Sequence, residues 1–315
     1  SSRGTVIAAY VTIIYLAITA GQFLLGAGEE PSTPFLVAAI FFALAVVPVA
    51  LTRSAAPAPI AVVRFEPARL WRLSPVGIVG TGVNGMMMSV FYALAPTYAL
   101  SRGIDGAALP LFTGASLLAG AAMQVPVGRL SDRMDRRLVI LGLCLVSAIA
   151  CAALAIATRE TVGFAGLLAI AVVFGAATMP GYAVAAAHAF DYAEPERYVQ
   201  VSAGLLLSNG VGAAISPLLA GAVMASLGAG AAFGTLGVIA LAFMTFVGIR
   251  IFRRDALSSD AKDDFTIAVS APINAVVPPQ PVEAHPLVTT PERDAPGVLE
   301  TWLADPDEDD TIALS

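Results

Sequence analysis

The sequence predicts an all-α polytopic membrane protein, on three observations. Of its 315 residues 57% are hydrophobic and only 13% charged, with a mean hydropathy of +0.81. Soluble domains carry about 25% charge, so this chain has too little polar surface to cover a globule in water. Seven long runs contain no Asp, Glu, Lys or Arg, and a helix crossing the hydrocarbon needs about 20 apolar residues. The arginines, finally, gather at alternate ends of those runs. The composition excludes a soluble enzyme. The continuity of the runs excludes a transmembrane barrel, whose strands alternate polar and apolar residues in segments of about 10.

The uncharged runs, in order, are Gly4 to Gly28, Pro31 to Thr52, Leu73 to Ser101, Gly106 to Gly128, Leu138 to Thr158, Thr161 to Phe190 and Tyr198 to Ile249. The last is too long for one crossing, and Leu227-Gly228-Ala229-Gly230 breaks it near its middle, so eight spans are expected in all. Ser1-Ser2-Arg3-Gly4 leads directly into a long apolar run with Gln22 inside it, a poor fit to a signal peptide, and the chain is expected to begin within a longer protein. Cys144 and Cys151 lie seven apart in one span, about 10 Å along a helix axis, beyond disulfide reach; both are expected to be packing residues.

Short cytoplasmic loops retain positive charge. Thirteen arginines fall at one set of span ends, from Arg3 through Arg53, Arg129 and Arg197 to Arg254, whereas only Arg102 and Arg159 fall at the other. The first set, and both chain ends with it, is therefore expected in the cytoplasm. The net charge of −6 hides two opposite parts. Residues 1 to 253 carry 14 basic and 10 acidic groups, and residues 254 to 315 carry 3 basic and 13 acidic ones. That Pro-rich acidic tail is expected to stay disordered.

Between the fourth and fifth spans stands Gly128-Arg129-Leu130-Ser131-Asp132-Arg133-Met134-Asp135-Arg136-Arg137. A carboxylate here can sit against the positive end of a neighbouring helix, while the arginines pair with it and with lipid headgroups. The segment resembles the cytoplasmic loop motif of the major facilitator superfamily: Gly, any residue, a large apolar residue, a small one, Asp, Arg, any, Gly, then two basic residues. Asp135 stands where the family has Gly, which puts the tight turn in question. The resemblance implies a gating loop carried by Gly128, Asp132, Arg133, Arg136 and Arg137, latching two helix bundles in one orientation and releasing them in the other.

Four spans precede this loop, whereas the superfamily repeats it after spans two and eight of twelve, so the present helices correspond to spans five to twelve. The resemblance then divides the chain into the last two helices of an N-terminal bundle (1–52), a central cytoplasmic loop (53–73), a C-terminal six-helix bundle (74–253) and the tail (254–315). The run Ser202 to Leu207 followed by Gly210-Val211-Gly212 resembles the YcaD-like branch. A bacterial inner-membrane secondary transporter follows, acting as a monomer on a small-molecule solute in contact with membrane lipid, with protons as a candidate coupling ion and efflux as the expected direction. Neither a cofactor nor a nucleic-acid partner is expected. The alternative is a non-transporting receptor or scaffold of the same fold, which would lose its function with residues 256–315.

Polar side chains inside spans are costly unless they face protein or water. Thr113, Ser116, Gly120 and Gln124 share one helix face, Ser202, Asn209 and Ser216 another, and Asn84, Tyr92, Thr178 and Tyr182 mark two further spans. Of these, Asn84, Tyr92, Gln124, Tyr182 and Asn209 are the expected lining of a solute path. No Asp or Glu lies in any span, so a coupling carboxylate is expected in helices outside this sequence. His188, near an arginine-rich end, reads as interfacial. With no other histidine but His285, in the tail, neither a metal site nor a catalytic constellation is expected.

Overall fold

A computed structural model describes residues 32–51, 67–194 and 197–253, with positions 13, 17, 18, 20 and 21. Apart from those five positions the first expected span lies outside the described residues, as does the acidic tail. Among those described, regular structure is helical throughout, in nine helices: α1 Thr33–Leu51, α2 Pro67–Leu73, α3 Pro75–Ser101, α4 Ala108–Arg133, α5 Arg136–Ile156, α6 Arg159–Thr178, α7 Gly181–Phe190, α8 Tyr198–Leu227 and α9 Gly230–Arg253. Among the described residues six spans are long and apolar enough to cross a membrane: α3, α4, α5, α6 with α7, α8 and α9. In hydrocarbon every backbone polar group must be satisfied within the segment, which is why the uncharged runs and the helices nearly coincide. Phe35, Leu36, Ile149, Leu218 and Val238 are each more than 60% exposed, as lipid-facing residues are.

Three local differences from the sequence reading have physical causes. Pro67–Leu73, expected as the end of a loop, is nearly two helical turns, because Leu70 is buried against Tyr182, Phe190, Val201 and Leu205. The segment from Gly128 to Arg137, expected as a loop, is mostly helix, with only Met134 and Asp135 between α4 and α5. The run Thr161 to Phe190, expected as one continuous span, is broken at Met179-Pro180, since proline has no N–H to continue the ladder. The break expected at Leu227 to Gly230 is present, with Gly228 at φ 92° closing α8.

The bundle is held by paired helices: α3 on α8, α5 on α9 and α4 on α6, with α7 packed on the first half of α3. Small residues bring the first pair together, as membrane helices commonly do. A methyl group built on Gly85 would overlap the carbonyl oxygen of Asn209, and one on Gly212 would overlap that of Gly82. Three α8 side chains then reach α3 carbonyls: Ser208 Oγ to Ile78 at 2.6 Å, Asn209 Nδ2 to Thr81 at 3.0 Å and Ser216 Oγ to Met86 at 3.0 Å. An aromatic core of Phe91, Tyr98, Phe112, Phe174 and Phe233 fills the centre. Cys144 and Cys151 are buried and unbridged.

Candidate functional site

Main-chain carbonyls at the interruption between α6 and α7 are met by side chains. Side-chain amides from two other helices reach them: Asn84 Nδ2 of α3 donates to the Thr178 carbonyl at 2.8 Å, and Gln124 Nε2 of α4 to that of Met179 at 3.5 Å. Unwound backbone at membrane depth is tolerated only where such partners or a cavity meet it. Here both do. A cavity of about 90 Å³ opens beside the break, lined by Asn84, Gly85, Met88, Ser89, Tyr92, Met179, Tyr182, Leu206, Asn209 and Ala213. Four of the five residues expected on the solute path, Asn84, Tyr92, Tyr182 and Asn209, thus line a single cavity. The fifth does not: Gln124 is 4% exposed and packs between helices beside Met179. Its whole stripe, Thr113, Ser116, Gly120 and Gln124, is buried, and Gly120 and Ser116 are in close contact with α6 and Met179. A helical stripe of polar residues says that a face meets protein, and here that protein is α6.

A charged cluster closes the arginine-rich end. Arg136 is 1% exposed and its guanidinium bridges three elements: Nε to Asp191 Oδ2 at 2.8 Å, and Nη1 to Asp132 Oδ1 at 3.1 Å and to Ser131 Oγ at 3.0 Å. Asp191 follows the last turn of α7 and is itself 3% exposed, so α4, α5 and α7 are joined through one side chain. Arg133 stays exposed, as does Arg129, while Gly128 is buried. The buried pair Arg136 and Arg137 therefore meet carboxylates, one of the two kinds of partner expected from sequence.

Asp135 resolves the question raised by the missing glycine. Its φ of −59° needs no left-handed conformation, and its carboxylate accepts from the Arg137 backbone N–H at 2.9 Å as the N-cap of α5. The same carboxylate takes Nε and Nη2 of Arg137 at 2.8–3.1 Å. Burial pushes the Asp135 pKa up, but hydrogen bonds from Arg137, its charge and the nearby His188 outweigh that, holding the group below the usual carboxylate range. A depressed folded-state pKa gives stabilisation that is complete above the unfolded value, near 3.9, and is lost as pH falls through the folded one. Asp135→Ala is therefore expected to cost at least the ~1 kcal/mol of a helix cap, and more because Arg137, 3% exposed, loses its bidentate partner. Thermal unfolding of the purified protein should show a gap between wild type and variant that is constant from neutral to mildly acidic pH. The gap should narrow only below about pH 4.

At the other end, the two remaining arginines satisfy main-chain oxygens. Arg102 Nη2 donates to the Ala155 carbonyl at 3.2 Å and lies over the Tyr98 ring, and Arg159 donates to the Gly103 carbonyl. Tyr98 Oη donates to the Leu154 carbonyl at 2.7 Å. His188, read from sequence as interfacial, is 6% exposed and meets the edge of Tyr192 with ring centroids 5.2 Å apart.

The family model described as the Major Facilitator Superfamily matches residues 77–289. The chain belongs to that superfamily. It is similar to an uncharacterized MFS-type transporter of Enterobacter sp. (strain 638), 25% identical over 233 residues, covering 71% of this chain and 57% of the relative. It is also similar to the uncharacterized MFS-type transporter YcaD of Shigella flexneri serotype 5b, 26% identical over 264 residues, with 81% of this chain and 64% of the relative covered. The YcaD of Escherichia coli O139:H28 matches to the same extent. This superfamily member spans about three fifths of the length of the curated relatives it matches. No solved structure matches it.

For this superfamily chain the sequence left three partners unidentified. Asp191 lies 55 residues beyond Arg136, and only its place just after an apolar run, next to His188, hinted at it. The Thr178 and Met179 carbonyls carry no side-chain signal at all; the Met179-Pro180-Gly181 triplet was the available clue.

Proposed function

We propose that this chain forms one solute-binding wall and one gate of a secondary active transporter that moves a small organic solute by alternating access. The observation that carries the reading is the cavity at the α6–α7 break, where Asn84, Tyr92, Tyr182 and Asn209 converge. Broken helices beside midplane sites are the usual construction of secondary carriers. In this reading residues 74–253 are the C-terminal six-helix bundle and residues 1–52 the end of the N-terminal one. The joining stretch 53–73 and both ends of this chain are cytoplasmic, in the bacterial inner membrane. Asp132, Arg136 and Asp191 form the gate, with Gly128 allowing close approach and Arg133 and Arg137 flanking it. Proton-coupled efflux is the preferred form of the activity, with the coupling group outside the described residues.

The test is cysteine accessibility in the intact protein, in a Cys144→Ala, Cys151→Ala background reconstituted into liposomes. Met88→Cys and Ala213→Cys, both half-buried and on the cavity wall, are expected to react with a membrane-impermeant maleimide. Ala171→Cys, fully buried in the core, is expected to stay unlabelled. If both cavity positions resist labelling under every condition while the protein remains folded, the cavity is packing space and the reading fails.

A further inference from the structure

The cavity wall is uneven in its hydrogen-bonding chemistry. A primary amide bonded to a backbone carbonyl must present its nitrogen there, because a carbonyl oxygen only accepts. Asn84 does so to Thr178 and Asn209 to Thr81, which fixes both amides and turns their oxygens the other way. Neither oxygen is hydrogen-bonded among the described residues, and neither is among the sealed side-chain atoms that lack a partner. Among the described residues Asn209 lines only the cavity at the α6–α7 break, whereas Asn84 lines that cavity and a second, smaller one with Cys144, Ser147 and Thr178.

Ser89 adds to the same character. Its hydroxyl lies 3.2 Å from the Met86 carbonyl and 2.9 Å from Ser216 Oγ, which itself reaches that carbonyl at 3.0 Å. Each serine has one proton, and both are consumed inside this triangle, so Ser89 faces the cavity with lone pairs. Tyr182, 4% exposed, adds a phenolic hydroxyl that can accept as well as donate. Met88, Met179 and Leu206 with the two tyrosine rings supply the apolar remainder. None of the ten lining residues is charged.

We infer that this wall selects a neutral, partly apolar solute that donates hydrogen bonds through hydroxyl or amide N–H groups. Oriented oxygens at Asn209 and Ser89 repel a carboxylate or phosphate. A cation would lose its hydration against a wall that offers no counter-charge, and burying an unpaired charge is the costlier of the two. A site built to bond a donor also discriminates against the same molecule with that donor blocked, because its own acceptors are then left unsatisfied. The inference rests on the transport reading of this cavity and adds the solute's chemistry to it.

The experiment uses the Ala213→Cys protein in the cysteine-free background, full chain, and measures protection from N-ethylmaleimide by four indoles of one size. Tryptophol is neutral with a hydroxyl donor, its methyl ether lacks that donor, tryptamine is a cation and indole-3-propionate an anion. Tryptophol is expected to protect at concentrations about 5-fold below the ether and about 10-fold or more below either ion. Asn209→Leu should bring alcohol and ether within about 2-fold of each other. Equal or better protection by the anion, the cation or the ether overturns the inference. So does normal labelling that none of the four slows, or an alcohol preference left intact by both Asn209→Leu and Ser89→Ala. Absence of labelling of both the Ala213→Cys and the Met88→Cys protein without any indole defeats the transport reading instead, so the two failures are separable.

Discussion

Arg136→Met is expected to destabilise the folded protein by about 3–5 kcal/mol, the usual consequence of leaving a buried carboxylate without its cation. The carboxylate concerned is Asp191, 3% exposed, whose Oδ2 lies 2.8 Å from Arg136 Nε. Asp132 is 33% exposed and can recruit water, so Asp132→Asn should cost far less. The decisive comparison is the double variant Arg136→Met, Asp191→Leu. Replacing a buried ion pair by apolar residues of similar volume is commonly neutral, and most of the lost stability should return, read as the thermal unfolding midpoint of purified protein. If the double variant is as unstable as the single one, the pair is not what holds α5 to α7. Transport should remain impaired in both variants and in Asp132→Asn, because a gate needs an attraction it can form and break. Unchanged transport in Asp132→Asn would sink the gating assignment while leaving the structural one intact.

The second large effect is expected at the contact between α3 and α8. Gly85→Val inserts three carbons where even a methyl would overlap the Asn209 carbonyl oxygen. That oxygen belongs to helix backbone and cannot swing aside as a side chain would. Overpacking of this kind typically costs about 1–3 kcal/mol and sometimes more, and here it would also pull Asn209 Nδ2 and Ser216 Oγ away from their α3 acceptors. The expected result is loss of monodisperse protein on size-exclusion chromatography. Gly221→Val, where a Cβ meets nothing within 4 Å, is the control on α8 and should behave as wild type. Equal behaviour of the two variants would mean that the helices can separate without penalty.

Much of the fold was legible because the bilayer leaves few solutions. A run such as Leu138 to Thr158 without charge must be helical to satisfy its own backbone, and α5 follows it to within two residues at either end. The same argument singled out Asn84, Tyr92, Tyr182 and Asn209, which line one cavity: a polar group in a span must meet protein or a cavity. It also explains Gln124, which gave the same signal yet ended against Met179, since helical phase reports that a face is buried without naming its partner. The turn at Asp135 was misjudged for a different reason. The family pattern carries glycine there, and the pattern alone does not reveal that a carboxylate can cap α5 and hold Arg137 with a negative φ. Arg136 and Asp191, 55 residues apart, could be paired only by the tertiary packing of α5 on α7.

The interruption at Met179-Pro180 makes α7 a short strut of its own. Tyr182 stands on its first turn, in the cavity wall, and Asp191 directly after its last, gripped by Arg136. Nine residues of helix separate them, about 14 Å, with no flexible element between. The cavity wall and the ionic clasp are thus mounted on the two ends of one short helix, and in the transport reading proposed above a shift at either end is felt at the other.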